Sequence, residues 1–160
     1  MHTIYIYHPE SGIRCEGVSR EAMQSALTDP NAVVWVDLED PTDDEMDLLV
    51  EEFQFHPLSI EDCIFPQNRP KLEEFENYTF IVFHGIQYAP QEARPITTQE
   101  LDIFLGKNFL VTVHDNPLKN VVMVKQRCRE KTDVLSKGAD YILYLVMDNL
   151  VDSYFPLLDQ

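Results

Sequence analysis

The sequence AVVWVDL, residues 32–38, predicts a strand that is buried on both of its faces. Apolar residues follow one another in it instead of alternating with polar ones, which is typical of a strand covered on both sides. Shortly after it, Thr42 and Glu45 have the spacing of a capping box and predict the start of a helix. The apolar residues of that helix fall on one face, namely Met46, Leu49, Val50 and Phe53. We therefore expect a buried strand followed by an amphipathic helix.

Strands and helices also alternate on both sides of this unit. Upstream, residues 3–7 predict a strand, and Ser19 predicts the N-cap of a short helix. Downstream, Pro57 predicts the first turn of a helix that runs from residue 58 to about residue 64. The remaining predicted elements are strands at residues 71–75, 78–84, 101–105 and 109–114, a long helix from Pro117 to about Ser136, and a last helix from Ala139. This order predicts an α/β fold with a mixed sheet and helices on both faces.

Composition limits the class of protein. A chain of 160 residues fits one domain with a core of its own. The formal charge of −16 argues against nucleic acid as a partner, because an acidic surface repels phosphate and attracts cations. Solubility alone also explains such a charge. The three cysteines, Cys15, Cys63 and Cys128, include no CxxC pair, so we expect a reducing compartment and no structural zinc site.

The last predicted helix is apolar almost all round. Its run YILYLVM, residues 141–147, is far shorter than the about 20 residues that cross a bilayer, so we expect no membrane span and a soluble chain. Such a helix is buried on several sides or packs against other subunits. It continues to Gln160 without a capping residue, as a fragment of a longer protein would; a frayed natural terminus is the alternative. We divide the chain into a domain at residues 1–138 and a helical segment at residues 139–160.

The sequence does not predict a catalytic site. His56, Ser59, Asp62 and Cys63 lie close together, but Ser59 is not in a Gly-x-Ser-x-Gly motif. Cys63 has no basic neighbours of the kind that activate a thiol. The chain has no phosphate-binding loop and no GxGxxG motif, and its histidines lack the spacing of metal ligands. We therefore expect that the protein is not an enzyme.

Four segments are informative through their order and spacing. They are FHPLSIED at residues 55–62, QNRPKLEEFENY at 67–78, ADYILY at 139–144 and DNLVDSYF at 148–155. Together they make residues 34–158 resemble the CorA family of magnesium transporters. The resemblance implies a three-layer α/β/α sandwich with a mixed, partly antiparallel central sheet. It also implies a place on the cytoplasmic side of the cell (inner) membrane, in a homopentamer.

The family's stalk helix, its two transmembrane helices and its Gly-Met-Asn selectivity tripeptide have no counterpart in these 160 residues. In the family, the pentamer is held largely by the stalk and membrane helices. We therefore expect this chain to be a monomer or a weak oligomer by itself.

The resemblance also implies where a cation binds. Asp62 matches an acidic residue of a regulatory magnesium site between neighbouring protomers, Glu61 matches a carboxylate of a second site nearby, and Asp148 matches a third position. Carboxylate oxygens are the hard ligands that Mg²⁺ prefers. A further ligand of the family lies on the stalk helix, so any site in this chain is incomplete. The alternative for Glu61 and Asp62 is a solvated helix face, or acids favoured by the helix dipole.

A second acidic pattern lies on the last helix. Asp140, Asp148 and Asp152 are spaced by eight and four residues, which puts them on one helical stripe. A cation site and plain exposure to solvent both account for this stripe.

The function that follows is a cytoplasmic regulatory domain of a channel for Mg²⁺ or a related divalent cation, which senses the ion through acidic sites between subunits. One alternative is a free-standing soluble module of the same fold that responds to cations or binds a protein. Another is the corresponding domain of a zinc- or cobalt-transporting branch.

Overall fold

The computed structural model describes residues 1–65 and 69–152. The strands in these residues are β1 (His2–His8), β2 (Gly12–Arg14), β3 (Val33–Glu39), β4 (Lys71–Glu74), β5 (Thr79–Tyr88), β6 (Ile96–Leu105) and β7 (Phe109–His114). The helices are α1 (Arg20–Thr28), α2 (Asp43–Glu51), α3 (Pro57–Ile64), α4 (Lys119–Glu130), α5 (Thr132–Leu135) and α6 (Ala139–Asp152). The part of the predicted loop at Gln67 and Asn68 lies outside the described residues.

All seven strands form one sheet in the order β2-β1-β3-β7-β6-β5-β4. The central pair, β3 and β7, is parallel, with Asp37 opposite Thr112. The other neighbouring strands are antiparallel. The predicted mixed, partly antiparallel sheet is therefore confirmed.

The two faces of the sheet are covered by different helices, because side chains alternate along each strand. Val34, Val36 and Leu38 of β3 join the core that also contains buried residues of α1, α2 and α3. Val33 and Trp35 join the opposite core, built with α4, α5 and α6. This arrangement confirms the predicted α/β/α sandwich. The division at residue 138 stays a prediction.

Local capping signals fold as the sequence predicts. The side chain of Ser19 accepts a hydrogen bond from the backbone N–H of Ala22 at 3.1 Å, which caps α1. Thr42 and Glu45 form a reciprocal capping box at the start of α2. Each such cap stabilises its helix by about 1 kcal/mol, because it satisfies backbone donors that have no partner in the first turn.

Three sequence-based expectations need correction. In α2 the buried apolar residues are Met46, Leu48 and Leu49, whereas Val50 is exposed. The strand β2 was not predicted at all. The long helix expected up to residue 136 breaks at Lys131, whose backbone is extended. A continuous helix would turn Val134 away from the stripe that carries the buried residues of α4, and the break allows its burial.

A buried polar network links the parallel strands to α4. Asp37 is fully buried, and its Oδ1 accepts hydrogen bonds from Thr112 Oγ1 at 2.5 Å and His114 Nε2 at 2.9 Å. Its Oδ2 lies 2.5 Å from the ammonium nitrogen of Lys125. Trp35 Nε1–H donates to Thr112 Oγ1. Three side chains thus share one carboxylate as their common partner, and Trp35 joins the network through Thr112.

The charges of this network stabilise one another. Burial by itself would raise the pKa of Asp37, but the hydrogen bond and charge of His114, together with Lys125, outweigh burial and lower it. Burial likewise opposes the charged form of His114, but Asp37 raises the pKa of the imidazole. The Nδ1 of His114 also lies 2.7 Å from the carbonyl oxygen of Asn116, so both ring nitrogens face acceptors, as in an imidazolium ion.

We expect Asp37→Asn to lower the free energy of unfolding by about 3–5 kcal/mol, because it leaves the buried cations His114 and Lys125 without their counter-ion. Urea denaturation at pH 7 measures the loss. Asp47→Asn, at an exposed position of α2, is the matched control and should leave the unfolding free energy nearly unchanged. Equal stabilities of the two variants would contradict the role given to Asp37.

Candidate cation site

The helix α3 positions the predicted ligands. Its N-cap is His56, whose Nδ1 accepts the backbone N–H of Leu58 at 3.1 Å. The hydroxyl of Tyr78 accepts the backbone N–H of His56 at 2.9 Å and lies 3.2 Å from Ser59 Oγ. The inner face of α3 is buried through Ser59, Ile60 and Cys63. The outer face therefore carries Glu61, which is exposed, and Asp62, whose side chain is 22% exposed.

Asp62 is paired with a lysine of the neighbouring strand β4. The ammonium nitrogen of Lys71 lies 2.5 Å from Asp62 Oδ2 and 2.8 Å from Glu73 Oε1. It also lies 5.8 Å from the centre of the Phe80 ring. The hydrogen bonds that the ammonium donates to Asp62 and Glu73 raise the pKa of Lys71. Asp62 therefore already has a cationic partner within its own chain.

The predicted acidic stripe on α6 is exposed where the structure describes it. Asp140 and Asp148 face solvent, with the exposed Tyr144 between them. Asp140 Oδ1 accepts the backbone N–H of Tyr141, so this acid contributes to the start of its own helix. The side chain of Asp152 lies outside the described part of the structure. The buried residues of α6 are Ala139, Ile142, Leu145, Val146 and Leu150, whereas Tyr144 and Val151 are exposed. Within this chain α6 is therefore buried on one side, and packing of its open side against other subunits stays a prediction.

The predicted ligands do not form a complete site within one chain. In residues 1–65 and 69–152, no three His, Cys, Asp or Glu side chains lie close enough to hold a metal ion together. Asp62 and Glu61 lie on α3, and Asp148 lies on α6. Each can supply at most part of a coordination shell, so a divalent ion here would need ligands from elsewhere.

The residues weighed for catalysis have structural roles. Ser59 is buried against Tyr78, and His56 caps α3. Burial raises the pKa of the Cys63 thiol well above its usual range, and the neighbouring Asp102 adds to this effect. A thiol of this kind is a poor nucleophile at neutral pH. Neither Ser59 nor Cys63 is activated as a nucleophile, and His56 is engaged as a helix cap.

A second acidic cluster was missed by the sequence analysis. It borders a cleft of about 210 Å³ beside the end of the sheet, where β6 continues beyond its last pairing with β7 at Asp102 and Val113. Glu100 and Asp102 lie two residues apart on β6, on one face of the strand. The signal was present in the alternation of acidic and apolar residues at positions 100–103, where β6 enters the core.

Asp102 holds a proton at neutral pH. It is buried, and burial raises its pKa to about 9, with the charge of Glu100 and a hydrogen bond to it acting in the same direction. The hydrogen bond with Cys63 lowers the pKa, and the charge of Asp62 raises it. Asp102 therefore keeps its proton, because an ionised Asp102 would be a buried charge beside a second carboxylate.

The protonated Asp102 predicts a pH-dependent stability. Its folded pKa of about 9 exceeds the usual 3.8, so the folded state binds the proton more tightly and stability falls as pH rises from about 4 to about 9. We expect Asp102→Asn to remove this decline, because an amide donates to Glu100 as the protonated carboxyl does. The gain over wild type should be on the order of 1–3 kcal/mol at pH 8.

Urea denaturation at pH 5, 7 and 9 measures the effect. Asp115→Asn, an exposed acid at the rim of the same cleft, should keep the pH profile of the wild type. If the unfolding free energy of Asp102→Asn followed that of the wild type at all three pH values, Asp102 would be ionised in the fold. A proton on Asp102 would then be ruled out.

None of the helices in the described residues is long and apolar enough to cross a bilayer.

Comparisons with known proteins agree with the fold and with the resemblance. The family model for CorA-like Mg²⁺ transporter proteins matches residues 30–160. The candidate metal ion transporter YfjQ of Bacillus subtilis is 43% identical over 124 residues, which are 78% of this chain and 37% of that protein. The cobalt/magnesium transport protein CorA of Thermotoga maritima is 35% identical over 111 residues, 69% of this chain and 31% of that protein.

A solved structure has the same fold. The soluble domain of CorA from Methanocaldococcus jannaschii superimposes with a TM-score of 0.71 at 22% identity, over 97% of this chain and 58% of that chain. The chain itself spans about a third of the length of the two curated relatives. Membership in a transporter family confirms the prediction that the protein is not an enzyme. With most of its length matched, the chain belongs to the family of CorA-like Mg²⁺ transporter proteins.

Proposed function

We propose that this chain is the cytoplasmic regulatory domain of a channel for Mg²⁺ or a related divalent cation, on the inner side of the cell membrane. The observation that carries the proposal is the incomplete site on α3. Asp62 is half-buried on a rigid helix, yet the described residues of one chain supply no three-ligand group around it. A carboxylate held in this way suits a site that two subunits complete together.

The exposed apolar residues support an assembly on the same surfaces. Leu58, Ile64 and Phe65 surround the acidic residues of α3 and are all more than half exposed. Tyr144 and Val151 are exposed near Asp148 on α6. Large apolar side chains clustered beside acids on a folded domain are typical of surfaces covered by a partner. We propose a homopentamer of the longer protein, with Asp62 and Glu61 of one subunit facing Asp148 of the next.

The proposed mechanism is a feedback switch. Carboxylates that face each other across a subunit boundary repel, and a divalent ion bound between them reverses the sign of that interaction. At high ion concentration the bridged arrangement holds the pore closed. At low concentration the repulsion between these domains favours opening, since the 160-residue chain has a formal charge of −16. The switch works only if the ion binds the closed arrangement more tightly than the open one.

In the longer protein, we expect Asp62→Ala to raise the Mg²⁺ concentration for half-maximal protection from proteolysis at least about tenfold, because a ligand of the closed state is lost. Asp62→Lys separates the two contributions of the carboxylate. The lysine removes the carboxylate ligand, but its positive charge still compensates the carboxylates that face it. This variant should therefore be protected from proteolysis even without Mg²⁺.

Limited proteolysis over a Mg²⁺ series, followed by gel densitometry, gives the midpoints. Asp47→Ala, at one of the exposed acids of α2, is the matched control, because it removes the same charge away from α3. Equal midpoints for wild type and Asp62→Ala would show that Asp62 is only a surface acid.

For the 160-residue chain alone, we expect a monomer or a weak oligomer at micromolar concentration, with Mg²⁺ affinity in the millimolar class, about 10⁻³ M. Each chain contributes only part of each proposed site, so assembly has to be held mainly by segments outside it. Analytical ultracentrifugation with and without Mg²⁺ measures the association. A stable pentamer of this chain would contradict the expectation.

A further inference from the structure

We propose that Lys71 is a tethered cation that occupies the Asp62 site until a divalent ion displaces it, and so sets the concentration at which the site fills. This inference rests on the proposed function, because it takes Asp62 as a ligand of the regulatory ion. The new element is a side chain of the same protein, Lys71, that competes with the ion for the Asp62 carboxylate.

The first support is the convergence of two carboxylates on one nitrogen. Asp62 belongs to α3 and Glu73 to β4, yet an oxygen of each lies within 2.8 Å of the Lys71 ammonium. If the ammonium were removed, two negative charges would face one small volume. That arrangement is attractive to a divalent ion, which compensates two charges where the ammonium compensates one.

The second support is the way in which β4 presents Lys71. Residues 71 and 73 alternate with Leu72 and Glu74, so Lys71 and Glu73 point to the same side of the strand. The buried ring of Phe80 lies on that side, with its centre 5.8 Å from the ammonium. The lysine side chain is 36% exposed, so it has an open path to solvent when an ion takes its place.

Competition follows from charge and space. The ammonium and a divalent ion both need the Asp62 oxygens, and together they would bring three positive charges to two carboxylates. The site is therefore competent to bind only in the fraction of molecules whose lysine has moved away. The apparent dissociation constant is the intrinsic one divided by that fraction, so a competent fraction of about 10–20% weakens binding about fivefold to tenfold.

The test compares three substitutions in the 160-residue chain. Lys71→Met keeps the apolar stem over Phe80 and removes the charge, so its Mg²⁺ midpoint should fall about fivefold to tenfold. Lys71→Arg keeps the charge and should have a midpoint equal to or above that of the wild type. Lys107→Met, at an exposed position between β6 and β7, changes the net charge equally and should stay near wild type. Isothermal calorimetry and melting temperature over a MgCl₂ series at constant ionic strength, repeated with CoCl₂, give the midpoints.

A second measurement follows the displaced ammonium directly. In the wild type, an amine-acylating reagent should modify Lys71 faster as Mg²⁺ rises, because the ion releases the nitrogen from its two carboxylates. Lys107 in the same sample is the internal control, and peptide mass spectrometry gives both rates. The increase at Lys71 should be absent in Asp62→Asn.

The outcomes separate this inference from the proposed function. If Asp62→Asn abolishes the Mg²⁺ response while Lys71→Met leaves the midpoint unchanged or raises it, the regulatory site stands and the competing role of Lys71 is wrong. A constant acylation rate at Lys71 across the Mg²⁺ series would likewise show that Lys71 is not displaced by the ion. If Asp62→Asn responds to Mg²⁺ as the wild type does, the site and the inference fall together. If neither wild type nor Lys71→Met responds, the competing role of Lys71 is wrong, and the proteolysis midpoints of the longer protein decide the regulatory site.

Discussion

The fold depends on the buried carboxylate of Asp37 at the centre of the sheet. It lies on the parallel pair β3 and β7, and its partners are Thr112 and His114 of β7 and Lys125 of α4. A charge in this position is tolerated only because opposite charges and hydrogen-bond donors surround it. The same contacts fix the register of the parallel strands and dock α4 on one face, which leaves the other face to α1, α2 and α3.

Three carboxylates near the sheet are compensated in three different ways. Asp37 has permanent cationic partners in the core. Asp102 keeps a proton, since burial and Glu100 raise its pKa to about 9. Asp62, closer to the surface, is paired with a lysine that has access to solvent. A carboxylate loses its cationic partner at a lower cost in free energy when water can reach it, so the partner of Asp62 is easier to exchange than the partners of Asp37. This difference in exposure is why the proposed response to cations is placed on the outer surface of α3.

Asp62 differs from most other acidic residues of the chain in how firmly the fold holds it. Most carboxylates of the described residues are dispersed over the surface, where like charges repel one another. Asp62 differs because α3 is held by its N-cap, by Tyr78 and by three buried residues, so its position is fixed. A carboxylate fixed in this way suits the proposed ion bridge between subunits, because its position is set before the ion binds.

The sequence by itself determined the family, the α/β/α layering and most of the elements, because hydrophobic period and capping act over a few residues, as at residues 32–38 and at Thr42. It also identified Asp62, Glu61 and Asp148 as candidate ligands, through matched segments. Only the tertiary structure decided which partners these acids have. The pairing of Asp62 with Lys71, the burial that keeps a proton on Asp102, and the break at Lys131 all depend on how separate elements pack together. Such contacts leave no periodic signal in the sequence, since burial and charge at each position are set by neighbours that only folding brings together.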